Sequence, residues 1–139
     1  MTRSEYEWNG EKVPRDSAAR TVLVVEDDEI SRESYAALIE QVLGYPAVTA
    51  EHGQAALDML RQGLQPSVIV LDLAMAQMDG VTFREQQLAD PILPRCPVII
   101  CSAVLDSATQ LERLKAAAYL QKPVEPQVLL RLVRAFGEP

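Results

Sequence analysis

The sequence lacks a long apolar run, is poor in cysteine and has one histidine among its 139 residues. No apolar run is long enough to span a bilayer, and no secretory signal precedes the first apolar segment. We therefore expect a cytoplasmic protein without a membrane partner. Cys96 and Cys101 are too few for a disulfide scaffold and lack metal-site spacing. The histidine, His52, lies in a polar stretch that predicts a solvated loop.

The charge balance excludes another class of protein. Thirteen basic residues stand against twenty acidic ones, for a formal net charge of −7, which argues against a direct nucleic-acid partner. The hydrophobic content of 48% is sufficient for one well-packed core. We predict a flexible, polar N-terminal extension over residues 1–20 and a single domain over residues 21–137, because only the second part has sustained apolar periodicity.

Apolar runs rich in β-branched residues alternate with helical patterns along this domain. The runs at residues 21–25, 67–71 and 98–101 predict strands buried on both faces, and shorter runs at 46–49 and 118–120 predict two more. Helical spacing follows at 29–43, 54–62 and 80–88, in a fourth helix capped by Asp106 or Ser107, and from Pro126 onward. Strict alternation predicts a doubly wound α/β fold with a five-stranded parallel sheet and five helices.

Polar residues follow the predicted strands where each strand ends. Glu26 and Asp27 come after the first strand, Asp72 after the third, Ser102 after the fourth and Lys122 after the fifth. The carboxyl ends of parallel strands share the edge at which such sheets bind ligands. Clustered carboxylates need a cation, and Mg²⁺ suits a few carboxylate oxygens and a phosphate. An aspartate can also act as a nucleophile toward a phosphoryl group, with a lysine and a hydroxyl stabilising it.

These motifs together resemble the receiver domain of bacterial two-component response regulators, of the chemotaxis-regulator type. The resemblance extends over residues 20–136. No single motif is specific, but their order and spacing are. The motifs are VVEDD at 24–28, VLDL at 70–73, MDG at 78–80, CSA at 101–103 and YLQKP at 119–123. The resemblance implies a flavodoxin-like sheet with strand order 2-1-3-4-5.

The resemblance also implies roles for the residues of the site. Asp72 matches the phosphoacceptor, Glu26 and Asp27 match the acidic pair that binds Mg²⁺, and the backbone carbonyl of Ala74 would complete the metal site. Asp28 matches a more variable position. The family has a glycine before the fifth strand that is absent from the run at 116–118.

Three further matches concern the switch and the lysine. Ser102 matches the switch hydroxyl, Tyr119 the aromatic residue that changes rotamer, and Lys122 the invariant lysine, with a cis Lys122–Pro123 bond. The implied partners are a histidine kinase or a histidine-phosphotransfer protein, and a downstream protein. The downstream protein would bind the face of the fourth helix, fifth strand and fifth helix, residues 106–136. The implied protein is a monomer or a phosphorylation-dependent dimer.

The alternatives concern the place of the chain in a pathway. Only 17 residues follow Lys122, so we expect a stand-alone receiver that assists its own phosphorylation and dephosphorylation and is not a conventional enzyme. A phosphorelay intermediate or a receiver fragment of a hybrid histidine kinase stays open. A phosphatase of the haloacid-dehalogenase type is excluded. Its nucleophile follows the first strand with a second aspartate two residues on, where this chain has Ala74.

Overall fold

The computed structural model describes residues 5–8, 11–14, 20–73, 75, 78–103 and 112–137. In chain order, the strands are β1 Glu5–Trp8, β2 Glu11–Pro14, β3 Val22–Val25, β4 Ala47–Ala50, β5 Val68–Asp72, β6 Val98–Ser102 and β7 Ala118–Gln121. The helices are α1 Glu29–Leu38, which continues as a π-helical turn Ile39–Leu43, then α2 Gly53–Arg61, α3 Gly80–Ala89 and α4 Pro126–Gly137.

Five of these strands form one parallel sheet in the order β4-β3-β5-β6-β7. With the two N-terminal strands set aside, this is the predicted order 2-1-3-4-5, and the prediction of a doubly wound α/β fold is confirmed. Every residue of β3, β5 and β6 is buried. Helices cover both faces of these central strands, which is why their sequences read as continuous apolar runs.

Side chains alternate between the two faces of the sheet and divide the core in two. Leu23, Ile69 and Ile100 lie on the face covered by α2 and α3. Val24, Val70 and Ile99 lie on the other face, with Ile39 from the π-helical turn and Leu129 and Val133 from α4. Fully burying an aliphatic side chain of this size contributes roughly 1.5–3 kcal/mol to stability.

Local sequence fixes where the first helix begins and ends. Asp28 precedes α1, and its carboxylate accepts a hydrogen bond of 2.9 Å from the Ser31 backbone N–H. That bond satisfies one of the donors left free at a helix start. The helical segment ends at Gly44, whose φ of 73° lies in the left-handed region that favours glycine.

His52 has a structural role that its polar surroundings did not predict. It is half-buried and precedes α2, where its Nδ1 atom accepts a hydrogen bond of 3.1 Å from the Ala55 backbone N–H. Histidine therefore acts here as an N-cap, a position usually held by serine, threonine, aspartate or asparagine. The expectation of a solvated loop side chain was wrong, because the bonding partner lies in the helix that follows.

The N-terminal segment differs from its prediction, and part of the fourth predicted helix lies outside the described residues. Strands β1 and β2 pair in an antiparallel hairpin, with Tyr6 opposite Val13, where the sequence predicted an extension without a sustained pattern. Each strand has only four residues, and a segment that short shows no reliable alternation of apolar and polar residues in the sequence. Asp106 and Ser107 lie outside the described residues, and of that helix the structure describes a helical turn at 112–114. None of the described helices could cross a membrane.

Candidate phosphoryl and metal site

Three carboxylates meet at the carboxyl edge of the central strands. Glu26 and Asp27 directly follow β3, and Asp72 is the last residue of the neighbouring strand β5. One oxygen from each of the three carboxylates lies within 4.8 Å of the others. Glu26 and Asp72 are only 2% and 4% exposed, whereas Asp27 is exposed. The fold therefore brings these three predicted residues together, with two of them almost shielded from water.

Lys122 enters this cluster from the end of β7. The Lys122 backbone N–H donates a hydrogen bond of 2.8 Å to the Ser102 carbonyl, which aligns the chain with β6. The Nζ atom lies 2.9 and 3.1 Å from the two Glu26 oxygens and 3.6 Å from Asp72 Oδ2. The Lys122–Pro123 peptide bond is cis, as predicted.

The protonation of Lys122 follows from its neighbours. Burial lowers the pKa of Lys122, but the hydrogen bond to Glu26 and the charge of Asp72 outweigh it, so the net pKa is raised. Lys122 is therefore a cation at neutral pH and can balance only one of the three nearby acids. The site retains a surplus of negative charge, built from hard oxygen donors.

Asp28 stands beside this cluster but has a different task. Its carboxylate is occupied as the N-cap of α1. The hydrogen bonds with Ser31 are the main cause of a lowered pKa of Asp28. Asp28 therefore serves the start of α1, and its match to a variable position of the family stays a prediction.

Arg32 holds the acidic loop through the loop's backbone, a role that the sequence analysis did not predict. Its Nη1 atom donates hydrogen bonds of 3.0 and 3.3 Å to the carbonyls of Glu26 and Asp27. Arg32 lies one turn after Asp28, on the first part of α1. An arginine in the first helical turn after an acidic pair is the signal by which it could have been found. It fixes the direction in which the two acidic side chains leave the loop.

Ser102 and Tyr119 share one face of the sheet. Ser102 ends β6, beside β5, and is 5% exposed. Tyr119 on β7 pairs with Ile100, two residues before Ser102, so both side chains point to the face covered by α2 and α3. Tyr119 is half-buried against that core. The two residues of the predicted switch thus lie on the same face of neighbouring strands, while Ala74 lies outside the described residues.

Helix α3 begins directly against the end of β5. The Gly80 backbone N–H donates a hydrogen bond of 2.9 Å to the Leu73 carbonyl. A Cβ atom at position 80 would collide with the Asp72 carbonyl oxygen and would lie 2.7 Å from Leu73 Cα. Only glycine permits this approach. The start of α3 is therefore packed on the backbone of Asp72 itself.

Comparison with known proteins bears on what this site does. The family model for the response regulator receiver domain matches residues 22–134. The positive alginate biosynthesis regulatory protein of Pseudomonas aeruginosa is 30% identical over 120 residues, 85% of this chain and 47% of that protein. The polar-differentiation response regulator DivK of Brucella anthropi is 26% identical over 120 residues, 84% of this chain and 95% of that protein.

A solved structure agrees with these sequence relatives. The receiver domain of a Francisella response regulator is 28% identical, has a TM-score of 0.75, and covers 85% of this chain and 96% of its own. This chain spans about half the length of the alginate regulator and nearly all of DivK. The chain belongs to the response regulator receiver domain family, and it is a phosphoacceptor domain of two-component signal transduction.

Proposed function

We propose that Asp72 accepts the phosphoryl group from a histidine kinase or a histidine-phosphotransfer protein, and that Glu26 and Asp27 hold Mg²⁺ beside it. The observation that carries this proposal is the place of Asp72. It ends the central strand, is almost fully buried, and lies beside the acidic pair and 3.6 Å from Lys122, whose ammonium also contacts Glu26. A nucleophile needs such neighbours when it must accept a strongly anionic group.

The chemistry follows from these positions. An oxygen of the Asp72 carboxylate attacks the phosphorus of a phosphohistidine, an O–P bond forms and the P–N bond breaks. The other imidazole nitrogen of the phosphohistidine carries a proton, so the P–N bond electrons that return to the first nitrogen leave neutral histidine on the donor and an acyl phosphate on Asp72. The Lys122 ammonium contacts Asp72 already and would donate to the phosphoryl oxygens. Ser102 would donate its hydroxyl hydrogen to the same oxygens.

The acidic pair supplies the donor set for a divalent cation. Three carboxylate oxygens within 4.8 Å of one another, with one lysine among them, suit a hard cation that keeps several waters. Bound there, Mg²⁺ would neutralise charge on the phosphoryl group. The Ala74 carbonyl is proposed from the family resemblance as a further ligand. Because the chain supplies these groups itself, we propose that it assists its own phosphorylation and dephosphorylation.

The output is proposed to be a change of protein-binding surface. Ser102 and Tyr119 lie on one face of the sheet, so movement of the Ser102 hydroxyl toward a phosphoryl group would open space for the Tyr119 ring. The affected face is residues 106–136, of which 112–136 are described. A stand-alone receiver, acting as a monomer or a phosphorylation-dependent dimer in the cytoplasm, stays our prediction.

Labelling with acetyl phosphate and Mg²⁺ tests the assignment of Asp72. Intact-protein mass spectrometry should show one added phosphoryl group on the wild type and none on Asp72→Asn. Asp28→Asn is the matched control, because Asp28 is an acid of the same edge that is committed to capping α1. It should label like the wild type. Equal labelling of Asp72→Asn would remove Asp72 from this role.

Calorimetric titration with Mg²⁺ tests the donor set independently of phosphorylation. Asp27→Ala should weaken binding by about tenfold or more, a loss of roughly 1.4 kcal/mol, since Asp27 is proposed as a direct ligand. Glu26→Ala should have a smaller effect, because the family resemblance implies that Glu26 acts partly through water. Asp28→Ala should have the least effect. The register of the acidic pair is wrong if Asp28→Ala loses affinity and Asp27→Ala keeps it.

A further inference from the structure

Arg84 is a buried cation outside the cluster of Glu26, Asp27 and Asp72. It lies on α3 and is only 5% exposed. Its Nε atom donates a hydrogen bond of 2.8 Å to the Leu114 carbonyl, and Nη2 donates one of 3.1 Å to the Lys115 carbonyl. Nη1 donates at 2.7 Å to Oε1 of Gln87. None of the ion pairs found in the described part of the chain gives Arg84 a carboxylate partner.

The two carbonyls bound by Arg84 belong to an unusual turn. Lys115 has φ 52° and is, among the described residues, the only non-glycine with positive φ. Left-handed backbone is costly for a residue with a side chain. The guanidinium donates to the carbonyl of Lys115 and to that of the residue before it. The hydrogen bonds from Arg84 therefore hold the turn in a conformation that its own sequence disfavours.

The same turn leads directly into the last strand of the sheet. The Ala117 backbone N–H donates a hydrogen bond of 2.8 Å to the Val98 carbonyl, and Tyr119 follows within β7. Tyr119 also lies close enough to Arg84 to act on its charge, although burial is the main influence and lowers the pKa of Arg84. Whatever moves this turn relative to α3 therefore moves the strand that bears Tyr119 and leads to Lys122.

At its other end α3 is tied to the phosphoacceptor. Gly80 packs on the backbone of Asp72, and Arg84 follows one helical turn later. A helical turn is a stiff connection, because its backbone hydrogen bonds fix successive residues. Gln87, which Arg84 also contacts, donates at 3.1 Å to the Pro94 carbonyl and secures the same part of the helix. Asp72, α3, Arg84 and the Lys115 turn thus form one continuous path.

We propose that Arg84 is a positioning residue that couples helix α3 to the turn at Lys115, so that a change at Asp72 reaches β7 through α3 as well as through Ser102 and Tyr119. This inference rests on the proposed phosphorylation of Asp72 and goes beyond it. The planar guanidinium binds two carbonyls and an amide oxygen at once, and a lysine ammonium lacks that fork geometry.

Hydrogen–deuterium exchange with and without beryllofluoride and Mg²⁺ tests the coupling in the full chain. In the wild type, exchange should change together in α3 and in residues 112–121. In Arg84→Lys the response of residues 112–121 should fall by about fivefold or more, while labelling of Asp72 by acetyl phosphate persists. Arg113→Lys is the matched control, because Arg113 makes only an exposed ion pair with Glu85 near the same turn.

The outcomes separate this inference from the proposed function. A wild type that neither labels nor responds contradicts the proposed function. A wild type that responds at 112–121 while α3 is silent, or an Arg84→Lys variant that responds like the wild type, overturns the coupling alone. Combining Arg84→Lys with Lys115→Gly keeps the question answerable if Arg84→Lys folds poorly, since glycine accepts positive φ. Restored stability without a restored response supports coupling, and restoration of both shows that Arg84 only stabilises the turn.

Discussion

Two clusters of buried charge lie in this domain, and they are built on opposite plans. At the phosphoryl site, Glu26, Asp27 and Asp72 lie together, and among the described residues Lys122 is the cation that forms ion pairs with this cluster. At the second cluster, Arg84 is surrounded by neutral acceptors, two backbone carbonyls and one side-chain amide. The first keeps an excess of one sign of charge, while the second has a partner for each of the three nitrogens of its cation.

The difference indicates which kind of buried charge marks a binding site. Crowded carboxylates repel one another, so the phosphoryl site is less stable without a further cation than with one. The Arg84 cluster gains nothing from a ligand, because its hydrogen bonds are already made within the fold. Excess charge at strand ends therefore points to chemistry, and a balanced hydrogen-bonded cation points to structure or coupling.

The largest change in stability should come from removing Arg84, the cation whose hydrogen bonds are made within the fold. Arg84→Met should lower the free energy of unfolding by about 3 kcal/mol, because it leaves the buried Leu114 carbonyl and Gln87 amide oxygen, and the partly buried Lys115 carbonyl, without their donor. Urea unfolding measures this loss. Arg113→Met removes an exposed arginine, 62% accessible, and should cost less than about 1 kcal/mol. Similar losses for the two variants would mean that the buried network contributes no more than a surface pair.

At the phosphoryl site, removing a charge should instead raise the free energy of unfolding. Without divalent cations, Asp72→Asn should raise the free energy of unfolding by about 1 kcal/mol, since it relieves repulsion and the burial of a carboxylate. Lys122 compensates only in part, as it is closer to Glu26 than to Asp72. Asp28→Ala, the comparison variant, should instead lower the free energy of unfolding, because it removes the cap of α1. Destabilisation by Asp72→Asn would show that the cluster is already balanced.

The two clusters also differ in how far the sequence predicts them. Glu26, Asp72 and Lys122 follow apolar runs, and parallel strands bring their ends to one edge, so a local pattern predicted their meeting. Helix positions followed from the same alternation, whereas strand order followed from the family resemblance. Gly44 and Gly63, placed after the predicted helices, both have positive φ.

The Arg84 cluster depends on partners that no local pattern connects. Arg84 and the Leu114 carbonyl are 30 residues apart, and a backbone carbonyl has no sequence signature. The positive φ of Lys115 and the hydrogen bonds from Arg84 to this turn likewise have no signal in the local sequence. The cap formed by His52 and the hold of Arg32 on the acidic loop were missed for a similar reason, because each depends on backbone atoms rather than side-chain type.

The smallest expected effect is a pH dependence confined to the phosphoryl site. Because the net pKa of Lys122 is raised above its ordinary value of 10.5, its protonated form is favoured in the folded state. The stabilisation from Lys122 is then fully present below pH 10.5 and fades as pH rises through the higher folded-state pKa. The difference in unfolding free energy between wild type and Lys122→Met should therefore be constant near neutral pH and shrink above 10.5. The difference between wild type and Arg113→Met should stay constant over that range, since arginine does not titrate there. If the difference in unfolding free energy between wild type and Lys122→Met widens as pH rises, burial outweighs the attraction of Glu26 and Asp72. The phosphoryl site would then lack the excess negative charge that distinguishes it from the Arg84 cluster.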